Sequence, residues 1–203
     1  MGAEERSGRA EATSGDGEGR LRAFLAIPLT AELLAKVQQV QEALAQKMPG
    51  VRWTNPDTMH LTLKFFGDIP EEFLEKIGKV MLSIGHLNAP FSVDISGVGA
   101  FPSPARPRVI WLGIRDAAAL KTLHAGFESA LTQIGIAPEE RPFAPHLTLG
   151  RVRSGPIGAH QVPDAFREVG CGALPVDKVV LFESRLRPAG ALHVPIKTVM
   201  LGN

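Results

Sequence analysis

The chain has 203 residues, a formal net charge of +1, and 44% apolar against 21% charged residues, the proportions of one large globular domain or two small lobes. These values exclude a broad basic coat for nucleic acid, and no stretch is apolar and long enough to span a bilayer. Cys171 is the single cysteine, which rules out an internal disulfide and a cysteine zinc cluster and makes a reducing cytoplasm the expected location.

Residues 1–20 (MGAEERSGRAEATSGDGEGR) lack the apolar segment of a secretory signal and hold more acidic than basic groups. They read as a disordered tail, followed by one domain over 21–203. Arg6 stands where a myristoylation signal wants Ser or Thr.

Leu21 to Ile27 reads as a buried strand. Thr30 caps a helix to about Met48, with Leu33, Leu34, Val37, Val40 and Leu44 on one face, stopped by Pro49-Gly50. A short extended piece, Val51 to Trp53, and an Asn55-Pro56-Asp57 turn lead into a strand from His60 to Phe66. Glu71 to Ile84 is the second helix. Phe91 to Val98 is a strand, Phe101 to Arg108 a Pro-rich loop, and Val109 to Ile114 a strand. Ala117 to Ile134 is the third helix, with Leu120, Leu123, Phe127, Leu131 and Ile134 aligned. A loop over 138–145 precedes a strand from His146 to Val152. Residues 154–175 are rich in Gly and Pro and read as loop with a helical turn. Val176 to Ser184 and Leu192 to Leu201 close the chain as strands. No Gly-rich phosphate loop follows any strand. The expectation is an α+β fold of two related halves, mainly antiparallel, with helices beside the sheets.

His-Leu-Thr-Leu occurs twice, from His60 and from His146, in a chain with six histidines. Each copy follows a strand, a long helix and a loop. Alternation along a strand puts His60 and Thr62 on one face, and His146 and Thr148 likewise, with the leucines behind them. If the two copies face each other, two imidazoles and two hydroxyls surround one small volume. That set suits phosphodiester hydrolysis. A neutral imidazole takes a proton from water, an imidazolium protonates the departing ribose oxygen, and the hydroxyls donate to the non-bridging oxygens. Spacing does not say which histidine plays which part. A zinc site on His60 and His146 would need a third ligand, and no H-E-x-x-H or similar spacing supplies one. Lys64 shares the parity of His60 and Thr62 and is expected at the same rim. Arg151 has the opposite parity to His146, which points to a structural or rim place.

LRAFLAIPL, VRWTNPDTMHLTLKFFGD, GAFPSPARPRVIWLGI, EERPFAPHLTLGRVR and VDKVVLFESRLRPAG together resemble the 2H phosphoesterases, and among them the RNA 2′,3′-cyclic phosphodiesterases formerly called 2′-5′ RNA ligases. The resemblance covers about residues 20–201. It implies a bilobal fold whose pseudo-symmetric halves enclose a central cleft. It also implies opening of terminal 2′,3′-cyclic phosphates on RNA to 2′-phosphomonoesters without metal or cofactor, with 2′-5′ joining as a side reaction. His60 would be the proton donor, His146 the acceptor, and Thr62 and Thr148 the phosphate holders. Lys64, Arg151 and Arg108 are candidate substrate contacts, and Arg106 could meet the RNA backbone. Trp53 or Phe66 could stack on a terminal base, although core packing is expected for Trp53, Trp111 and Phe24. His86, His124, His160 and His193 lack a Thr two residues on and read as structural or surface. Where relatives often carry an aromatic near the last strand, this chain has Leu192-His193-Val194. A membrane partner is not expected, and a monomer is the default. The competing readings are an enzyme for small cyclic nucleotides or 2′-5′ linkages, and a protein that binds RNA ends without turnover.

Overall fold

A computed structural model describes residues 19–153, 162–188 and 190–203. Most of the tail, and His160 with its surrounding loop, lie outside these residues.

Nine strands form two wholly antiparallel sheets among the described residues. The chain runs β1 (Arg20–Pro28), α1 (Ala31–Ala45), β2 (Val51–Trp53), β3 (His60–Pro70), α2 (Glu72–Leu87) and β4 (Phe91–Phe101). It continues through β5 (Val109–Arg115), α3 (Ala118–Gln133), β6 (His146–Val152), β7 (Gly170–Val176), β8 (Lys178–Arg187) and β9 (Gly190–Met200). One sheet has the order β3-β1-β8-β9 and the other β2-β6-β5-β4-β7. The two ends of the chain therefore meet in one sheet, and its middle makes the other. α2 packs against β3, β8 and β9, α1 against β7 and β2, and α3 against α2. β3 and β6, the strands that carry the two HLTL runs, approach each other between the sheets.

Local signals account for most boundaries. The Thr30 hydroxyl accepts from the Leu33 amide, which caps α1. α1 stops at Ala45, earlier than its apolar stripe suggests, while Met48 still packs into the core. α2 runs to Leu87, three residues past expectation, because Gly85 lets Val199 and Met200 of β9 come close. A Cβ on Gly85 would lie 2.7 Å from the Val199 side chain.

β7 corrects the reading of residues 154–175 as loop. It pairs with β4 from Phe91↔Val176 to Ser96↔Gly170. Its Gly170, Gly172 and Pro175 argue against a strand on composition. As an edge strand it tolerates a proline without an amide hydrogen, and Cys171, Leu174 and Val176 bury its inner side.

A buried ion pair joins the halves. Lys64, only 4% exposed, lies at the end of the first HLTL run and places Nζ 2.7 Å from Glu128 Oε1 on α3. Lys64 Nζ also donates to the Ala137 carbonyl at 2.9 Å, and Glu128 Oε2 accepts from the Glu139 amide. The strand of one motif thereby grips the loop leading to the other. Lys64→Met is expected to cost about 2 to 4 kcal/mol, because it leaves the carboxylate without its cation. Lys64→Met combined with Glu128→Leu should restore more than half of that in urea denaturation. Losses that simply add would show that the two side chains do not interact.

Candidate active site

The two motifs share one local geometry. From His60 and from His146, six consecutive residues follow the same order: half-buried, buried, half-buried, buried, buried, exposed. The doubled buried step marks a break in alternation. In β3, Lys64 pairs with Leu25 and Thr62 with Ala26, so Leu63 has no partner. In β6, Gly150 pairs with Ile110 and Thr148 with Trp111, so Leu149 has none. Each fourth residue is a β-bulge.

The bulges correct both parity expectations. Cross-strand partners share a face, so Lys64 lies with Leu25, on the side opposite His60 and Thr62. That is why it reaches α3, although part of it still borders the cleft. Arg151 pairs with Val109, which alternates with Trp111 and Gly113, the partners of Thr148 and His146. Arg151 therefore stands on the His146 face. Phe65, the matching residue in β3, returns to the His60 face and is 60% exposed.

Each histidine is held by a bond to its own chain. His60 Nδ1 donates to the Thr58 carbonyl at 2.8 Å, and His146 Nδ1 donates to the Ala144 carbonyl at 2.7 Å. A carbonyl can only accept, so Nδ1 carries a hydrogen in both rings. Nε2 is then the atom whose protonation changes. It is a lone pair in the neutral ring and a donor in the cation.

The rings have unlike neighbours. His60 stacks on Phe24 at 4.5 Å between centroids and meets His193 edge-on at 5.0 Å. Burial, opposed by the Thr58 bond and aided by His193, pushes its pKa from about 6.5 to about 4. Burial also lowers His193. His146 meets Phe101 edge-on at 5.1 Å and lies 6.4 Å from Trp111. Trp111 can lie there because Gly99 has no side chain. A Cβ on Gly99 would fall 2.2 Å from the indole.

Thr62 and His146 line one cavity of about 1040 Å3 between the sheets, together with Arg106, Arg108 and Phe65. His60, Thr148 and Arg151 are not among its lining residues. Trp53 and Phe66 are both half-buried and pack against the core. His124 is buried, stacked on Phe143 with centroids 3.9 Å apart, and burial lowers its pKa. Cys171 is buried in β7, which raises its thiol pKa. No three His, Cys, Asp or Glu side chains converge among the described residues. No helix there is long and apolar enough to cross a membrane.

Sequence reasoning missed Gln41. Its Nε2 donates to the Leu149 carbonyl, at the second bulge, and to the Thr54 carbonyl, each at 2.9 Å. A polar residue one position from Val40 and four from Val37, on the apolar face of α1, was the available signal.

The family model described as "LigT like Phosphoesterase" matches the chain twice, over residues 27–111 and 112–193, one HLTL run in each. The chain belongs to the LigT-like phosphoesterase family. A Methanothermobacter thermautotrophicus protein named RNA 2′,3′-cyclic phosphodiesterase is 34% identical, over 90% of this chain and 100% of its own length. A Thermus thermophilus protein of the same name is 33% identical over 89% and 90%. Among solved structures, one of a Thermus thermophilus protein aligns with TM-score 0.77 at 28% identity, covering 90% of this chain and 98% of that one. E. coli LigT complexed with 3′-AMP aligns with TM-score 0.75 at 26% identity, over 91% and 99%. The two antiparallel sheets with three helices are the bilobal architecture expected of this family, and the chain is a phosphoesterase.

Two outcomes follow from the ring environments. Between pH 6.5 and 4 the unfolded chain protonates at His60 while the folded chain does not, so stability falls as pH falls through that window. The loss from this group is up to about 3 kcal/mol. His60→Gln should flatten that part of the urea-midpoint-against-pH curve, and an unchanged slope would refute the burial effect. Gly99→Ala should displace Trp111 at a cost of about 1 to 3 kcal/mol and lower kcat by moving its neighbour His146. Normal stability and turnover in that variant would show that the close approach is dispensable.

Proposed function

We propose that this phosphoesterase, as a cytoplasmic monomer, opens 2′,3′-cyclic phosphates at RNA ends to 2′-phosphomonoesters by histidine acid–base catalysis, with neither metal nor nucleotide cofactor. The observation that carries the reading is the doubled site: two histidines on facing strands, each with Nδ1 tied to the carbonyl two residues earlier and a threonine two residues later. Relatives named RNA 2′,3′-cyclic phosphodiesterase support the choice of substrate.

In the reaction, His146 Nε2 takes a proton from water as the water oxygen attacks phosphorus. The bond from phosphorus to the ribose 3′ oxygen breaks, and His60 Nε2–H protonates that oxygen. Each transfer contributes about 10²- to 10⁴-fold. The hydroxyls of Thr62 and Thr148 donate to the non-bridging oxygens. Arg151, returned to this face by the bulge, adds a cation beside them. Lys64 acts through position, since Glu128 neutralises it.

His60 is neutral in the free protein at pH 7, yet it must arrive at the transition state protonated. A bound phosphodiester anion favours the imidazolium and opposes the burial that disfavours it. His60 therefore acquires its proton together with the substrate. The same step with a 5′-hydroxyl in place of water, attacking phosphorus as the bond to the 3′ oxygen breaks, forms a 2′-5′ linkage and accounts for joining as a side activity.

The test is incubation with a cyclic-phosphate-ended oligonucleotide in EDTA and identification of the product. The expected product is the 2′-phosphate, with His60→Ala and His146→Ala each losing about 10²- to 10⁴-fold in kcat. The profile of kcat against pH should be bell-shaped, and its basic limb should lie above that of kcat/KM, because the bound anion raises the pKa of His60. Binding without turnover would favour an RNA-end binding protein, and loss of activity in EDTA would overturn metal independence.

A further inference from the structure

The segment between α3 and β6 ends on the carbonyl that sets the tautomer of His146, and one largely buried cluster fastens it. Lys64 Nζ donates to the Ala137 carbonyl at 2.9 Å. Glu128 Oε2 accepts from the Glu139 amide at 2.8 Å. The His124 ring lies flat on Phe143, with centroids 3.9 Å apart and planes 2° apart. Ala144, the next residue, offers its carbonyl to His146 Nδ1.

The segment has little structure of its own. Residues 137–145 make no backbone–backbone hydrogen bond among themselves. The other histidine is held differently. Its Thr58 carbonyl belongs to a closed 3-10 turn, Pro56–Thr58, in which the Thr58 hydroxyl donates to the Asn55 carbonyl at 2.8 Å and the Met59 amide to the Pro56 carbonyl at 2.9 Å. That turn ties itself, whereas the approach to His146 is tied by other elements.

The cluster is cross-braced. Lys64 and Glu128 are ion-paired, and His124 stands one helical turn before Glu128, with Nε2 4.0 Å from Oε1. Burial opposes the Glu128 carboxylate, but the Lys64 ammonium and the Glu139 amide outweigh it and hold its pKa below the usual value. Burial lowers His124 against the pull of Glu128, so at neutral pH that ring is an uncharged plate for Phe143. A neutral imidazole in water shares its hydrogen between both nitrogens. Only a fixed acceptor at Nδ1 reserves the Nε2 lone pair for the attacking water.

We infer that Lys64, Glu128 and His124 are positioning residues for His146: they hold the Phe143–Ala144 step so that the ring keeps its hydrogen on Nδ1. The effect on rate rests on the cyclic-phosphodiesterase reading, while the tautomer is measured without substrate. A pair buried for stability alone can be exchanged for apolar residues. A pair that places a carbonyl cannot.

The experiment follows stability, kinetics and tautomer in the same variants. Lys64→Met combined with Glu128→Leu removes both polar tethers and leaves neither charge unpaired. It should regain stability over Lys64→Met alone. Its kcat on a cyclic-phosphate-ended oligonucleotide should nevertheless stay about ten- to a hundredfold low, the order that a misplacement of about 1 Å costs. KM should stay within about twofold, which separates positioning from binding. Ring nitrogen shifts of His146, read by NMR through its carbon-bound protons, should change from one Nδ1–H form to a mixture of tautomers. His124→Ala should show the same loss of kcat and the same mixture. His124→Phe, which keeps a flat ring against Phe143, should restore both. Unchanged kcat and tautomer in the folded double variant would overturn the inference, and so would His124→Ala and His124→Phe behaving alike. Should the double variant not fold, the His124 pair decides. If the unmodified protein opens no cyclic phosphate, the phosphodiesterase reading fails, and the nitrogen shifts alone judge the tether.

Discussion

The fourth residue of each HLTL run has no partner across its ladder, and the character of the cleft depends on this break. A regular strand would keep residues 60, 62 and 64 on one face. The bulges at Leu63 and Leu149 instead turn the fifth residue away from the histidine face and return the sixth to it. One motif gains an exposed ring, Phe65, and the other gains a cation, Arg151. The extra residue leaves backbone groups outside the ladder, and buried groups of that kind need partners. At Leu149 the carbonyl is satisfied by the Thr54 amide and by Gln41 from α1. A helix side chain thus completes what the sheet cannot.

The fifth residues show how differently the two halves use the same geometry. Gly150 lies where β2 passes so closely that a Cβ would fall 2.7 Å from Val51 and 3.0 Å from Trp53. Its counterpart Lys64 meets no such strand, because β3 is the edge of its sheet. It spans instead to α3 and the loop before His146. A buried pair of this kind contributes little net stability over apolar residues of the same size. Its consequence is geometric, since it sets the first motif against the approach to the second.

The sequence makes the chemistry legible and hides much of the geometry. Two His-x-Thr runs in matching contexts point to acid–base chemistry at a phosphate, without saying which histidine plays which part. The Thr30 cap and the apolar stripes of the helices follow from local rules and are found where those rules put them. The bulges do not, because period-two alternation assumes an unbroken ladder and nothing in Leu-Lys or Leu-Gly marks the extra residue. β7 is hidden for a related reason. Its glycines and proline lower strand propensity, and only pairing with β4 overrides that preference. Gln41 looked like a flaw in an apolar stripe until its two carbonyl partners were in view.

The two identical tetrapeptides also end in unlike surroundings, an asymmetry that suits the acid and base roles proposed for them. His60 is enclosed by Phe24, Phe182 and His193, so its cation is disfavoured. His193 meets His60 edge-on and contributes to keeping it neutral. His146 faces the cavity beside Phe101 and Trp111, held from behind by the Ala144 carbonyl. Duplication supplies the two imidazoles with the same tautomer. Packing on each sheet then gives them different neighbours, so in the proposed reaction the division into acid and base would come from the surroundings of the motifs and not from the motifs themselves.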